Sequence, residues 1–407
     1  MKKKLLLSLV LLFWIAFGGF PTFGQQAPIS VKSVTIKNQF PEGVLFQVAT
    51  ETAAPAQIRE IRLEMRLKGS PRGSYAYLEF TPATTIEGKY LLKTSGAQFK
   101  PVGALIEYYF IITDSEKRVL ETPKETHLYL DNRFEWSKAA DGLVEVYYYG
   151  PVKSRAEFIL KASAETIKRM GSIIGVQPAQ PVRIIAYNNP RDMLPALPFQ
   201  STTTQRELLV EGQAWHEFGI LLMLASDPQA DGVASHEMTH MLVGEATKDA
   251  AVNVPAWLNE GLAEYGNINP GTSYDAVLSE SIAANQLPPL RGMQAIPGIP
   301  RAVILFYGQS RAVVKYLVET YGENKVKELF SAFNKGLRID DVLKTVYGFD
   351  QDALDNNWRK SLGLPPVEPA PQVTPLPTPR TTTPKQPKPT SPATRRPAFG
   401  CAGPVSP

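Results

Sequence analysis

Cysteine is nearly absent. Cys401 is the one cysteine in 407 residues, so no intramolecular disulfide can form and stability must come from packing. Histidine is scarce too, at four residues, which gives weight to any two at a meaningful spacing. Beyond residue 20 no apolar stretch approaches twenty residues without a charge, so no second membrane span is expected. No internal repeat is visible. Nor does the chain carry a dominant charge of one sign. The net +4 lies at the ends, where Lys2, Lys3 and Lys4 supply +3 and the tail from Val367 another +4, leaving residues 5–366 at −3. That distribution excludes a nucleic-acid surface on the folded body. What is present is ordinary for a globular protein, with 43% apolar and 20% charged residues. At about 150 residues per domain the length predicts two or three units.

The two ends read as processing or linker segments. In residues 1–24, three lysines precede an apolar run from Leu5 to Phe20, and Thr22 and Gly24 stand at −3 and −1 for cleavage after Gly24. This is the pattern of a secretory signal, with an uncleaved anchor as the alternative, and either places the protein outside the cytoplasm, secreted or in the cell envelope. Residues 365–407 are rich in proline and threonine without hydrophobic periodicity. Twelve of the 35 prolines fall in residues 367–407, so this tail is expected to be a disordered linker or envelope-associated stalk.

Between the ends the pattern changes once. Residues 27–132 hold about seven short alternating or β-branched segments, at Val31–Ile36, Gly43–Thr50, Ile58–Leu67, Tyr75–Phe80, Lys89–Lys93, Leu105–Thr113 and Thr126–Leu130. Turn signals such as Pro41-Glu42-Gly43 and Gly69-Ser70-Pro71 separate them. The spacing predicts an all-β sandwich. The segment resembles an immunoglobulin or fibronectin type III module without its disulfide. His127 lies in it and reads as structural.

Residues 133–364 are mixed. Strands are predicted at Leu143–Tyr149, Val182–Tyr187, Glu207–Gly212 and Gly219–Leu224, a helix at Arg155–Ile174, and helices onward to Leu364. The fold class expected is therefore multidomain, an amino-terminal all-β sandwich followed by an α+β domain and a disordered tail.

The chemistry is concentrated in Ser235-His236-Glu237-Met238-Thr239-His240, set in good helix material with Asp231 as the expected N-cap. Residues four apart share a helix face, so His236 and His240 can offer two imidazole nitrogens to one metal ion. Glu237 is placed to act on a water held there, the metalloprotease arrangement. Chance would give this motif roughly 0.002 times in a chain with so few histidines. A catalytic zinc takes three protein ligands plus water. A third ligand is offered by Asn259-Glu260-Gly261-Leu262-Ala263-Glu264-Tyr265, with Glu260 as ligand and Glu264 one turn along as acceptor for a ligand histidine N–H.

The two-part motif is similar to that of the gluzincin metallopeptidases, and most resembles the peptidase MA-like families of exported bacterial proteins. The resemblance spans about residues 134–364. It implies an α+β zincin-like domain with one Zn2+ per chain held by His236, His240 and Glu260, Glu237 as general base and acid, and a protein or peptide substrate. It also implies a strand lining the cleft, for which Ala214 and Trp215 in Gly212-Gln213-Ala214-Trp215-His216 are the candidates, and a phenol at Tyr307 donating to the oxyanion. His216 reads as surface or structural. The glycine-rich motif that grips a substrate amino terminus in the large aminopeptidases of the clan is absent, which favours an endopeptidase. The competing reading is a catalytically degenerate zinc-binding scaffold or extracellular binding module. A purely structural zinc site has no need of Glu237.

Overall fold

The computed structural model describes residues 28–198, 212–226 and 228–367. The expected signal segment 1–24, residues 207–211 of the strand expected at Glu207–Gly212, the tail from 368 and Cys401 lie outside the described residues.

The amino-terminal strands alternate because one face of each sheet is buried. β1 (Ile29–Gln39), β2 (Gly43–Thr52) and β5 (Thr85–Lys93) form one antiparallel sheet in the order β1–β2–β5. β4 (Ser74–Tyr77), β3 (Ile58–Leu67), β6 (Leu105–Asp114) and β7 (Val119–Glu121) form the other in that order, and β8 (Glu125–Leu128) also pairs with β6. Val44, Phe46 and Val48 of β2 meet Ile61, Leu63 and Phe110 of the opposite sheet in a dry core. His127 is structural, its Nε2 lying 2.8 Å from Asn38 Oδ1.

A third sheet follows in the order β12–β13–β11–β10–β9. It is built from β9 (Trp136–Asp141), β10 (Val144–Tyr149), β11 (Val182–Tyr187), β12 (Gly212–Trp215) and β13 (Ile220–Leu224). β10, β11 and β13 run parallel, and β9 and β12 are antiparallel edges. Every residue of β11 and β13 is buried. That is why β13 reads as a continuous apolar run, and β11 as one broken only by Arg183, both faces being covered. β9 has no apolar face to reveal it in sequence. Four of its six residues are exposed, which suits an edge.

On one face of this sheet, Ile184, Ala186, Leu221 and Met223 pack against α1 (Lys153–Ile174) and α3 (Ala230–Thr247). α1 ends where Gly175 takes a left-handed conformation at φ 83°. The opposite face packs on the sandwich. Ile185, Tyr187, Ile220, Leu222 and Leu224 belong to the same core as the sandwich residues, so the two units are fused rather than tethered. The buried Arg183 fastens the join, its Nε donating to Gly103 O at 2.8 Å and its Nη2 to Phe218 O at 2.5 Å. Trp215 of β12 lies with its ring 5.9 Å from that of Phe99.

The short α2 (Pro190–Met193) leads out of β11, and the remaining helices make a second core. They are α4 (Ala256–Gly266), α5 (Thr272–Ala283), α6 (Pro300–Tyr321), α7 (Glu323–Phe333), α8 (Ile339–Tyr347) and α9 (Gln351–Ser361). Leu242 and Val243 of α3, Leu258 and Leu262 of α4 and Val314 of α6 meet in it. A buried Arg359–Asp355 pair at 2.9 Å pins the loop before α6, Arg359 Nη2 donating to Leu287 O and Leu290 N to Asp355 Oδ2. Among the described residues no helix is long and apolar enough to cross a membrane.

Candidate metal centre

α3 is buried on nearly all sides, between the sheet and α1 on one flank and α4 on the other. It starts at Ala230 after Gln229, more than one and a half turns before His236, so the expectation that Asp231 caps it is corrected. Asp231 sits within the first turn, where its Oδ1 accepts from Gly232 N and from Asn269 Nδ2.

The helical spacing brings His236 and His240 together, their Nε2 atoms 3.1 Å apart. Glu260 on α4 completes a triangle, its Oε2 lying 3.4 Å from His236 Nε2 and 3.3 Å from His240 Nε2. Gly261 seats α4 against α6. A Cβ there would fall 2.5 Å from Ser310 O on α6, so only glycine lets α4 lie so close to α6. Each imidazole is oriented from behind. His236 Nδ1 donates to Glu264 Oε1 at 2.8 Å, and His240 Nδ1 donates to Asn259 Oδ1 at 3.1 Å. In the neutral tautomers that these Nδ1 contacts select, both Nε2 lone pairs face the triangle. The structure thus brings Glu264 behind His236. Asn259 carries no role in the sequence reading, although it precedes Glu260 in the motif, because a helix-surface amide is ordinarily solvated.

Three electron-rich atoms converging without a donor call for a cation. Glu260 Oε2 is buried and makes no hydrogen bond, and the same is true of Glu237 Oε2. Glu237, Glu260 and Glu264 are all buried, with no lysine or arginine paired to them among the described residues. Buried charge of one sign is costly without a counter-charge. Tetrahedral zinc with nitrogen and oxygen ligands at about 2.0–2.1 Å needs ligand atoms about 3.3 Å apart. The three separations fit that requirement, and His236, His240 and Glu260 form a group able to hold a metal ion.

Protons answer the same demand in the metal-free protein. Burial lowers the His236 imidazole, but Glu260 and Glu264 outweigh it and hold its pKa well above the ordinary value. His240 is raised likewise, burial opposing and Glu260 prevailing. Burial alone would lift Glu260, yet the two imidazoles keep its carboxyl at about 2. Glu237 moves the other way: burial raises it, and the imidazoles offset this only in part.

The other expected residues divide. Tyr307, within α6, lies with its ring 6.2 Å from that of His236, and burial raises its phenol. Tyr274 of α5, unremarked in sequence, stacks on it at 5.8 Å. Gly212 begins β12 directly over Glu237, where a Cβ would come within 2.6 Å of Glu237 Cγ. Ala214 turns to the same side of the sheet, toward α1 and α3. Trp215 presents no side chain to that side, because its ring is buried against Phe99 in the sandwich. His216 packs on Gly244 of α3, one turn past the ligand pair.

Comparison with known proteins bears on residues that span this site. Residues 162–363 match the sequence model of the Peptidase MA superfamily. Among solved structures, the M1 zinc metallopeptidase from Deinococcus radiodurans aligns over 85% of this chain and 96% of its own, at 12% identity and a TM-score of 0.38. No curated protein sequence matches the chain. The matched segment contains α3, α4 and α6 with the whole His236–His240–Glu260 triangle, so the likeness to the Peptidase MA superfamily covers every residue of the candidate metal site.

Proposed function

We propose that the protein is a zinc-dependent peptide hydrolase, acting on protein or peptide substrates outside the cytoplasm. The observation that carries this reading is the convergence of His236, His240 and Glu260 beside the Glu237 carboxylate, whose buried Oε2 has no hydrogen-bond partner. A scaffold site would account for the triangle but not for that carboxylate.

Bound there, zinc would lower the pKa of a coordinated water toward about 7 and polarise a scissile carbonyl. His236 and His240 serve as neutral donors because Glu264 and Asn259 hold their Nδ1 protons. Glu237, whose carboxyl burial raises, is suited to accept the water proton and return it to the leaving amine. Tyr307 donates its phenolic O–H toward the oxyanion, a task that needs the protonated phenol its burial preserves. β12 is the edge strand on the Glu237 side among the described residues, and a peptide adding to it as a further antiparallel strand would pass over Glu237. The basic and apolar amino-terminal segment supports export.

The test is Glu237→Gln. This variant should retain the metal at the level of the unsubstituted protein and lose hydrolysis of a peptide library. Undiminished hydrolysis by Glu237→Gln would remove the assignment. Tyr307→Phe should lower kcat by about 10²-fold, the order seen for a lost oxyanion donor, with little change in KM.

A further inference from the structure

The loop that leaves α4 closes a hydrogen-bonded circuit back onto the helix bearing the histidines. Glu264 uses both carboxylate oxygens, Oε1 accepting from His236 Nδ1 at 2.8 Å and Oε2 from Asn267 Nδ2 at 3.3 Å. Asn267 follows the last turn of α4, its backbone N–H donating to Ala263 O. Its side-chain Oδ1 accepts from Asn269 N at 2.9 Å. A backbone N–H can only donate, so this contact fixes which way the amide faces and leaves Nδ2 for Glu264. The next links return to the first turns of α3. Ile268 N donates to Ser235 Oγ at 3.0 Å, and Asn269 Nδ2 donates to Asp231 Oδ1 at 3.3 Å. Gly232 makes room, since a Cβ there would fall 2.8 Å from Asn267 Oδ1 and 2.9 Å from Asn269 O.

We infer that Asn267 is a positioning residue for the metal centre, holding the Glu264 carboxylate so that His236 presents Nε2 to the ion. The inference rests on the metal-site reading above and goes one layer beyond it. A carboxylate tied at one oxygen only can rotate about its last bond, and the imidazole it orients follows. With the second oxygen tied to Asn267, and the next residue, Ile268, tied by its N–H to Ser235 of the helix that carries His236, ligand and support move as one body. Asn269 supplies the comparison. Its side chain braces the same loop through Asp231 but does not touch Glu264.

The experiment is Co2+ titration of the full chain and three variants, read by the ligand-field absorption band and by competition with a chelator. Asn267→Asp keeps the shape and the contact to Asn269 N–H but cannot donate to Glu264, and Asn267→Ala removes both. Outer partners of metal ligands are worth about 10–100-fold in affinity, and one layer further out the low end, about tenfold, is expected for both variants, with a shifted band. Asn269→Ala should lower the melting temperature yet leave affinity and band unchanged. Equal affinity and spectrum for Asn267→Asp and the unsubstituted protein would overturn the inference, as would an equal loss in Asn269→Ala. Failure of the unsubstituted chain to bind Co2+ would instead remove the metal-site reading, and this inference with it.

Discussion

Replacing Gly261 by alanine tests whether the spacing of helices sets the metal centre. The new Cβ would lie 2.5 Å from Ser310 O and 2.8 Å from Val314 Cγ2. The oxygen is backbone and cannot rotate aside, and it is about 1 Å nearer than ordinary contact. α4 and α6 must therefore separate by a comparable amount. Glu260 and Glu264 travel with α4, whereas His236 and His240 stay on α3. A catalytic constellation tolerates about 0.5 Å of displacement, so the third ligand leaves the triangle. Overpacking of this kind costs about 1–3 kcal/mol. At about 2–4 °C per kcal/mol for a domain of this size, melting should fall by about 2–12 °C. Metal affinity should fall at least about tenfold. Differential scanning fluorimetry with and without Zn2+, and Zn2+ competition against a chromophoric chelator, measure the two effects. Melting within about 1 °C of the unsubstituted protein, together with unchanged affinity, would refute the reasoning.

Three further expectations follow from the same structure. The raised His236 and His240 pKa values mean that protonated imidazoles stabilise the metal-free fold below about pH 6.5, a contribution lost as pH rises through the folded values. The depressed Glu260 adds stability above about pH 4.5 that is lost as pH falls toward 2. Metal must displace the imidazole protons, so calorimetry in buffers of different ionisation enthalpy should detect proton release and an affinity rising with pH; pH-independent binding would contradict this. Removing the sandwich exposes Ile185, Tyr187, Ile220, Leu222 and Leu224, at about 1.5–3 kcal/mol each, so a fragment starting at residue 133 should fail to fold. A monomeric fragment with native-like circular dichroism would show the fusion to be dispensable. Asp355→Ala strands the buried Arg359 guanidinium and should cost about 3–5 kcal/mol in urea denaturation, whereas a loss within experimental error would mean that the pair holds nothing.

The pairs that make up the candidate metal site are legible in sequence because each pair is local. His236 and His240 are one helical turn apart, as are Glu260 and Glu264, so helical period alone puts each pair on one face. The sandwich strands were readable for a similar reason, since alternation along β2, β3 and β6 mirrors one buried face. What stayed hidden depends on distant partners. Arg183 meets Gly103 across 80 positions, and nothing near either residue marks the contact that fuses the two units. Trp215 sits in a strand suited to a cleft, yet its ring turns to Phe99 because alternate residues of a strand face opposite ways. Asp231 has the chemistry of an N-cap, but packing starts α3 earlier and gives that carboxylate to the Asn269 loop. Asn259 and Asn267 were silent because an amide near a helix end has ordinary uses, and only the fold shows which carboxylate or imidazole each one meets.

The most direct measurement is the metal content of the chain purified without a histidine tag, by mass spectrometry, for the unsubstituted protein and for Glu260→Ala. Close to one tightly held zinc per chain, lost in Glu260→Ala while the fold persists, is the result expected of three ligands converging on one ion. A folded protein that takes up no zinc when it is supplied, or that holds zinc equally well without Glu260, would contradict the account.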